Sequence, residues 1–523
     1  MSNFSASAPA TMNSTTTILA DLAATAQSDS RIPVIGATVL LAAGTVAFFL
    51  RPPKIIDDSG IARLPGWVSS ITAWSFFTKR HDFMFNGFAK TGQNLFQFRF
   101  LQHTVVCISG EEGRKVFHND KDLDFTQGYQ ILLGGAPRLE QSSEAEYVPE
   151  NMTWFNKNVA ILFSKDRLAD VLPSLLDDIH ASLMRTMPER EGRIDPFRNV
   201  YDLIVQMTIR MVSCRSLSND PAAVAEMWKY FDVIEKSATP FSLILPWIPT
   251  SATKNKEKAT TDLYKFLVKY IEERRNSTPS SDAFDVLIAN GLDNQAIVGF
   301  AMIIIFAGIT NSSVNACWIL IYLASHPEWK AKAIKEVKDL IANHSNPAYA
   351  NDPLHKRLAS IPISAWETQM PMVELILKET LRLTATGAAL RRNTKGDLPI
   401  AGKMIKRGWF LVYSAADVHL NPNIYTNPDD FDPSRFEPGR EEDKKEAYSF
   451  IAWGGGRHPC SGMKFAKLEI KMIVALFLEG FEYKLVDAQG NYPKNPPIPD
   501  INDLQRASPV GEPFFLQYKR LMD

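Results

Sequence analysis

Near the C-terminus, the run Phe450-Ile451-Ala452-Trp453-Gly454-Gly455-Gly456-Arg457-His458-Pro459-Cys460-Ser461-Gly462-Met463 gathers one cysteine, one histidine and four glycines. Such a loop carries little side-chain bulk. The apolar spacing from Met463 to Leu478 predicts a helix directly after it, with Lys464, Lys467 and Lys471 on one face. Cys460 then stands at a helix N-terminus, where the dipole and free backbone N–H groups lower a thiol's pKa. Glycines let the backbone approach a flat ligand and let N–H groups point at a sulfur. One thiolate in a backbone cradle suits a single axial position on an iron whose other ligands belong to a macrocycle. An inert buried cysteine before a helix is the plain alternative.

The other cysteines, Cys107, Cys214 and Cys317, are scattered, and no CxxC pair occurs. This spacing fits neither a disulfide framework nor a structural zinc site and points to a reducing compartment. The chain has 523 residues, a net charge of −1, 45% hydrophobic and 22% charged residues. That balance excludes a disordered polyelectrolyte, a collagen and a polytopic membrane protein, and it lacks the basic excess of a nucleic-acid binder.

The elements that must hold the cysteine loop are mostly helical. Apolar residues recur at helical spacing over Asp166 to Met187, Val200 to Arg215, Ala259 to Arg275 and Glu328 to Ala342. Leu95 to Ile108 reads as a hairpin, and Ile400 to Ser414 as another, turning at Ala401-Gly402 and Arg407-Gly408. Asn343 to Lys356 reads as a polar loop. Asn294 to His326 is a long apolar helix interrupted by Thr310-Asn311-Ser312-Ser313. A membrane span would set those polar groups at mid-bilayer, so a buried core helix with hydrogen-bonding atoms at its centre is the better reading.

At the other end, residues 1–31 read as a disordered tail. Ile32 to Leu50 carries no charge and would extend about 28 Å as a helix, the length of a bilayer core. It is too long and too far from the N-terminus for a signal peptide, and a buried helix is the alternative. Arg51, Lys54 and Arg63 follow it, which puts the bulk of the chain on the cytosolic side. The expected organisation is a tail over 1–31, a single transmembrane helix over 32–50 and one catalytic domain over 51–523.

The spacing Trp453-x-x-Gly456-x-His458-x-Cys460-x-Gly462 resembles the haem-binding signature of the cytochrome P450 family, with Trp453 for the commoner Phe. Lys378-Glu379-Thr380-Leu381-Arg382 is similar to the family's Glu-x-x-Arg motif, in a Leu-rich helix about eighty residues before the loop. The same i, i+3 pairing also occurs at Glu111/Arg114, Glu272/Arg275 and Glu437/Arg440, where it merely sets opposite charges on one helical face. Asp432-Pro433-Ser434-Arg435-Phe436 looks like the segment whose arginine completes a triad with Glu379 and Arg382. The resemblance implies a mainly α fold with small β-sheets and haem b held by Cys460 as the iron ligand. It also implies Trp453, Gly456 and Gly462 around the group, and His458 and Arg392 at the propionates, with Arg391 as the rival. Trp154 resembles the start of a Trp-x-x-x-Arg motif, but residue 158 is Asn, and Lys157 is the candidate substitute.

The central helix departs from the family pattern. Ala307-Gly308-Ile309 matches, but Thr310 stands where an acid is usual and Asn311 where an alcohol is usual. An amide hydrogen-bonds but does not pass a proton as a hydroxyl does, and adjacent helical residues point about 100° apart, so Thr310 does not simply replace it. Asn311 resembles the branch of steroid-nucleus hydroxylases and prostacyclin synthase; a purely structural amide is the alternative. Thr310 and Asn311 are the catalytic candidates.

The resemblance implies a membrane-bound monooxygenase of the endoplasmic reticulum. It would oxidise an apolar small molecule, plausible in specialised metabolism, with O2 and electrons from an NADPH–cytochrome P450 reductase. Lys464, Lys467, Lys471 and Arg457 are candidates for docking the reductase, or a solvated face. Substrate-contact regions are expected at Gly134-Gly135-Ala136-Pro137, Phe241 to Trp247 and Ala385 to Leu390. Asn311 motivates a second reading, a redox-independent isomerase or dehydratase; a non-catalytic haem-binding protein is the third.

Overall fold

The computed structural model describes residues 59–64, 69–100, 103–132, 152–237, 239–244, 248–503 and 506–522. The expected tail, the expected membrane-crossing segment 32–50, the Gly134–Pro137 region and residues 245–247 of the Phe241 to Trp247 region lie outside them. The principal helices are α1 (Ser69–Thr78), α2 (Arg80–Thr91), α3 (Gly110–Asn119), α4 (Phe125–Leu132), α5 (Met152–Leu162), α6 (Lys165–Thr186) and α7 (Pro196–Val212). They continue with α8 (Pro221–Lys236), α9 (Ser251–Arg275), α10 (Asn294–Ser325), α11 (Pro327–His344), α12 (Pro371–Thr384) and α13 (Met463–Gly480).

Capping side chains set where several begin. Asp195 accepts from Phe197 N ahead of Pro196, Asp220 from Ala222 N ahead of Pro221, and Thr250 from Thr253 N. Helices α7 and α9 therefore start well before Val200 and Ala259, where apolar periodicity alone puts them. The expected loop after Asn343 is partly helical: α11 runs to His344, and a short helix spans Leu354–Ala359.

Helix α10 starts on Asp293, whose carboxylate accepts from Ala296 N at 2.7 Å, and runs through the main core against α7, α12 and α13. It is long and apolar enough to cross a membrane, but 72% of its most apolar window is buried inside the protein, which makes it a core helix. Thr384 donates to Asn315 Oδ1 at 2.7 Å, and Trp318 Nε1 donates to the carbonyl of Ala507 at 2.9 Å. These bonds fix α10 to α12 and to the C-terminal region.

One six-stranded sheet flanks the helices. It contains β1 (Ala62–Arg63), β2 (Leu95–Phe100), β3 (His103–Ile108), β4 (Leu123–Asp124), β6 (Ala388–Asn393) and β9 (Phe410–Ser414), in the order β1-β2-β3-β9-β6-β4. Strand β5 (Glu191–Ile194) joins β12 (Phe481–Asp487) and β15 (Phe514–Arg520), in the order β12-β15-β5. Three two-stranded pairs complete the set: β7 (Leu398–Ile400) with β8 (Lys403–Ile405), β10 (Gly454–Gly455) with β11 (His458–Pro459), and β13 (Ile498–Pro499) with β14 (Pro509–Val510).

The expected hairpin over Leu95 to Ile108 forms, with Leu95 opposite Ile108 and Phe100 opposite His103. The second one differs from expectation. Strands β7 and β8 pair across Ala401-Gly402, whose φ values of 47° and 70° make a tight turn, but β9 leaves them to run between β3 and β6. Burial explains the difference. All five residues of β9 are buried, so it belongs inside a sheet rather than on an exposed hairpin edge.

Candidate functional site

The cysteine loop is a miniature hairpin. Gly454 pairs with Pro459 and Gly455 with His458, and Cys460 N closes onto the carbonyl of Trp453 at 2.7 Å. Gly456 has φ +56°, and a Cβ there would come within 2.2 Å of the carbonyl oxygen of His118 in α3. That same carbonyl accepts from Arg457 N at 3.0 Å. Gly456 is thus required by both conformation and space. Gly462 is different: a Cβ there would meet its nearest neighbour, the Phe163 ring, only at 3.8 Å, so nothing in the chain itself fills the room above it.

Cys460 is exposed, although surrounding protein pushes its thiol above the ordinary range. The N–H groups of Gly462 and Met463 act in the opposite direction, in keeping with the loop sequence, but desolvation outweighs them. The sulfur is thus flanked by protein and yet accessible. On α10, Ala307 and Asn311, one turn apart, are exposed in the middle of a helix whose following turns are buried. The Asn311 amide donates to the carbonyl of Ala307 at 2.7 Å, which commits one of its two N–H groups to its own helix.

Two contacts join the halves of the site. Glu469, nine residues after Cys460, hydrogen-bonds to Ser312, the neighbour of Asn311. Ser461 donates to Asn156 of α5 at 2.7 Å, while Trp154 and Phe155 of α5 pack on Phe300 of α10. Thr310 is not brought to this face. Its hydroxyl, on a residue 8% exposed, points at Glu235 of α8 at 3.4 Å.

Beside the cysteine loop lies a basic cluster. The His458 ring stacks on Phe125 at 5.4 Å, and the Arg391 guanidinium lies 4.7 Å from the same ring. Burial, then Arg391 and Arg457, lowers His458 to about 4, and burial followed by Arg391 does the same to His118. Arg391 is 3% exposed, and its Nε has no partner among the described residues. The two candidate arginines part in the fold. Strand alternation turns Arg392 to Gln127 at 3.2 Å and to Phe410, and Arg391 is the one beside His458. Asn158 is buried and donates back to the carbonyl of Trp154 at 2.9 Å, whereas Lys157 is exposed.

The lysine face is also corrected. Lys471 is 3% exposed and donates to the carbonyl of Trp366 at 3.1 Å, and Lys467 is paired with Glu374. Lys464 and Arg457 remain exposed.

Behind the loop, Glu379 and Arg382 are fully buried and doubly bonded at 2.7 and 2.8 Å, with Arg435 adding a third bond at 3.0 Å. Arg382 donates to the carbonyl of His419 at 2.7 Å, and the ring Nε2 of His419 accepts from Ile451 N at 3.0 Å. The other ring nitrogen lies 3.0 Å from the carbonyl of Ala385 and carries the proton. Burial, then Arg382, lowers His419 to about 3, so it stays neutral. His419 ties the ion-pair core to the start of the cysteine loop. Nothing in its local sequence marks it, and Glu235 and His118 are equally unmarked. Glu469 has a signal, a carboxylate between Leu468 and Ile470 on a buried helix.

A single exposed sulfur, a backbone that leaves room at Gly462, and a buried guanidinium nitrogen without a partner are what a flat, dianionic iron macrocycle needs. Among the described residues no cluster of three or more metal-ligating side chains offers another site. The comparisons agree. A cytochrome P450 family model matches residues 65–501. Cytochrome P450 monooxygenase AacuE of Aspergillus aculeatus is 28% identical over 87% of this chain and 92% of its own length. Cytochrome P450 monooxygenase dmxR5 of a Cryptosporiopsis species is 26% identical over 80% and 82%. The solved structure of retinoic-acid-bound cyanobacterial CYP120A1 superposes with a TM-score of 0.69 at 19% identity, covering 86% of this chain and 96% of that one, which supports the fold. With its helical core, its cysteine hairpin and a family match over most of its length, the chain belongs to the cytochrome P450 family, monooxygenases that use haem b.

Proposed function

We propose that this monooxygenase is anchored through residues 32–50, with its catalytic domain over 51–523 in the cytosol at the endoplasmic reticulum. It oxidises an apolar small molecule of specialised metabolism, with electrons from an NADPH–cytochrome P450 reductase. The observation that carries the reading is the exposed Cys460 sulfur enclosed by protein, with the Gly462 and Met463 N–H groups directed at it. Exposed apolar side chains of the described residues support membrane contact. Trp74 of α1, Phe241 of the adjacent helix Pro240–Ile244, and Ile248 are 46%, 40% and 37% exposed.

Cys460 would hold the haem iron through its sulfur, and the N–H groups of Gly462 and Met463 would temper the charge on it. Arg391, His458 and His118 would receive the propionates, and Trp453, Gly456 and Gly462 would line the place of the group. Haem b, when bound, supplies the oxygen-insertion chemistry, while the chain binds, orients and excludes water. Ala307 and Asn311 border the substrate side, where the Asn311 Oδ1 accepts a hydrogen bond from a ligand or water. Lys464 and Arg457 offer the reductase a basic rim.

Asn311, an amide where the family pattern has a hydroxyl, motivates the isomerase or dehydratase reading. The reductase separates the two. Monooxygenation requires NADPH, reductase and O2 for product formation, and turnover that persists under nitrogen without NADPH contradicts it.

A further inference from the structure

A charge taken out of water needs an opposite charge beside it. Among the described residues the buried arginines are Arg80, Arg114, Arg167, Arg382, Arg391 and Arg435. All but the first have an acid close enough to act on them. Arg114 pairs with Glu446, Arg382 and Arg435 share Glu379, Asp282 acts on Arg167, and Asp124 acts on Arg391. Arg80 has no such acid among the described residues.

Arg80 is 4% exposed and opens α2, and its Nε turns back to the carbonyl of Phe76 in α1 at 3.2 Å. Its guanidinium lies 4.4 Å from the Phe76 ring, a contact that offsets part of the cost of burial. The two terminal nitrogens make no hydrogen bond among the described residues. Burial lowers Arg80 to about 10, so it keeps its charge at neutral pH. The groups that act on it are Tyr129 of α4 and Cys107 of β3.

Tyr129 is held in place. A Cβ on Gly128 would come within 2.7 Å of the Arg391 backbone, so α4 lies directly on β6. The Tyr129 ring packs on Phe125, one turn away, at 4.5 Å, and its oxygen accepts from Arg391. Burial keeps the hydroxyl protonated, which leaves its own proton to donate. Arg80 is thus the next cation along α4 from the cluster of His458 and Arg391. The surroundings are apolar: Phe76 shares a buried cluster with Phe77, Phe98 and Leu390 of β6. Just before β6, a Cβ on Gly387 would meet no atom within 4 Å, so the expected substrate-contact segment is open there.

We propose that Arg80 and the Tyr129 hydroxyl bind a carboxylate of the substrate, which makes the substrate an apolar acid. Its scaffold suits the aromatic surroundings, and its one charge meets the unpaired guanidinium. The proposal rests on the reading above of a haem enzyme acting on an apolar small molecule. A haem propionate offers the same chemistry from a second source, and the test separates the two.

The test uses the full-length, haem-loaded enzyme and ω-(imidazol-1-yl)alkanoates of eight to twelve carbons, each paired with the alcohol of the same length. Imidazole on the iron shifts the Soret band, so acid and alcohol report the same site and differ in the charge of the tail. At one length or more, the acid is expected to bind wild type about tenfold more tightly than its alcohol. In Arg80→Met that ratio falls to about one, the alcohol binds as before, and haem passes to apomyoglobin at the wild-type rate. Tyr129→Phe lowers the ratio about threefold. Equal binding of acid and alcohol by wild type at every length overturns the proposal, as does a ratio preserved in Arg80→Met. Faster haem loss from Arg80→Met also overturns it and assigns Arg80 to a propionate. Where Arg80→Met yields no folded protein, an unchanged ratio in Tyr129→Phe overturns it instead. If neither probe shifts the wild-type Soret band, the haem-site reading fails first and this proposal falls with it.

Discussion

Arg435 and Glu379, fifty-six residues apart, meet at 3.0 Å with side chains 1% and 0% exposed. Arg382 shares the same carboxylate, and its guanidinium continues through the carbonyl of His419 to Ile451 at the head of the cysteine loop. The ion-pair core and the iron site are therefore one mechanical unit, in which a charge left unpaired is felt at the sulfur.

Removing one partner leaves a buried charge uncompensated. Arg435→Ala is expected to lose about 3–5 kcal/mol of folding stability, read by urea unfolding, and to reduce haem content in the folded fraction. A variant with normal haem and an unchanged midpoint contradicts the linkage.

Glu469 sets a pH dependence. Burial raises its carboxyl from 4.5 to about 8, partly opposed by the bond to Ser312. The folded state holds this proton more tightly than the unfolded one, so its contribution is complete below the ordinary carboxylate range. It is lost as pH rises through about 8. Glu469→Gln is expected to flatten the fall in thermal midpoint between these limits and to exceed wild type at the alkaline end. An unchanged slope counts against it.

The basic cluster separates two adjacent arginines. Arg391→Ala loses a charge-assisted contact to a propionate, worth about 1.5–3 kcal/mol, and is expected to release haem to apomyoglobin about tenfold faster or more. Arg392→Ala, whose side chain turns to Gln127, stays near wild type. The reverse order restores Arg392 as the propionate residue.

On the reductase side, Lys464→Glu is expected to raise the reductase concentration for half-maximal turnover about threefold at low salt, with the effect vanishing at high salt. Lys467 is held by Glu374, so Lys467→Glu acts on stability as well. Equal, salt-independent effects contradict docking through the exposed rim.

How far each feature can be read from the sequence follows from how local it is. Four glycines, a proline and Cys460 mark the hairpin and the helix behind it within one short stretch, and the Leu95–Ile108 alternation pairs with itself. Strand β9 departs from its expected hairpin because its partners, β3 and β6, come from distant segments. The choice between Arg391 and Arg392 depends on strand phase, and the burial of Lys471 depends on the packing of Trp366 and Glu374. Glu235 and His419 bond to residues 75 and 32 positions away, which no local pattern encodes.

The most direct measurement is the difference spectrum of the reduced, carbon monoxide-bound protein, recorded for wild type and for Cys460→Ala purified alongside it. The wild type should give the red-shifted Soret band of a thiolate ligand, and the variant should lose that band. A wild type without the band, or a variant that keeps it, contradicts Cys460 as the iron ligand.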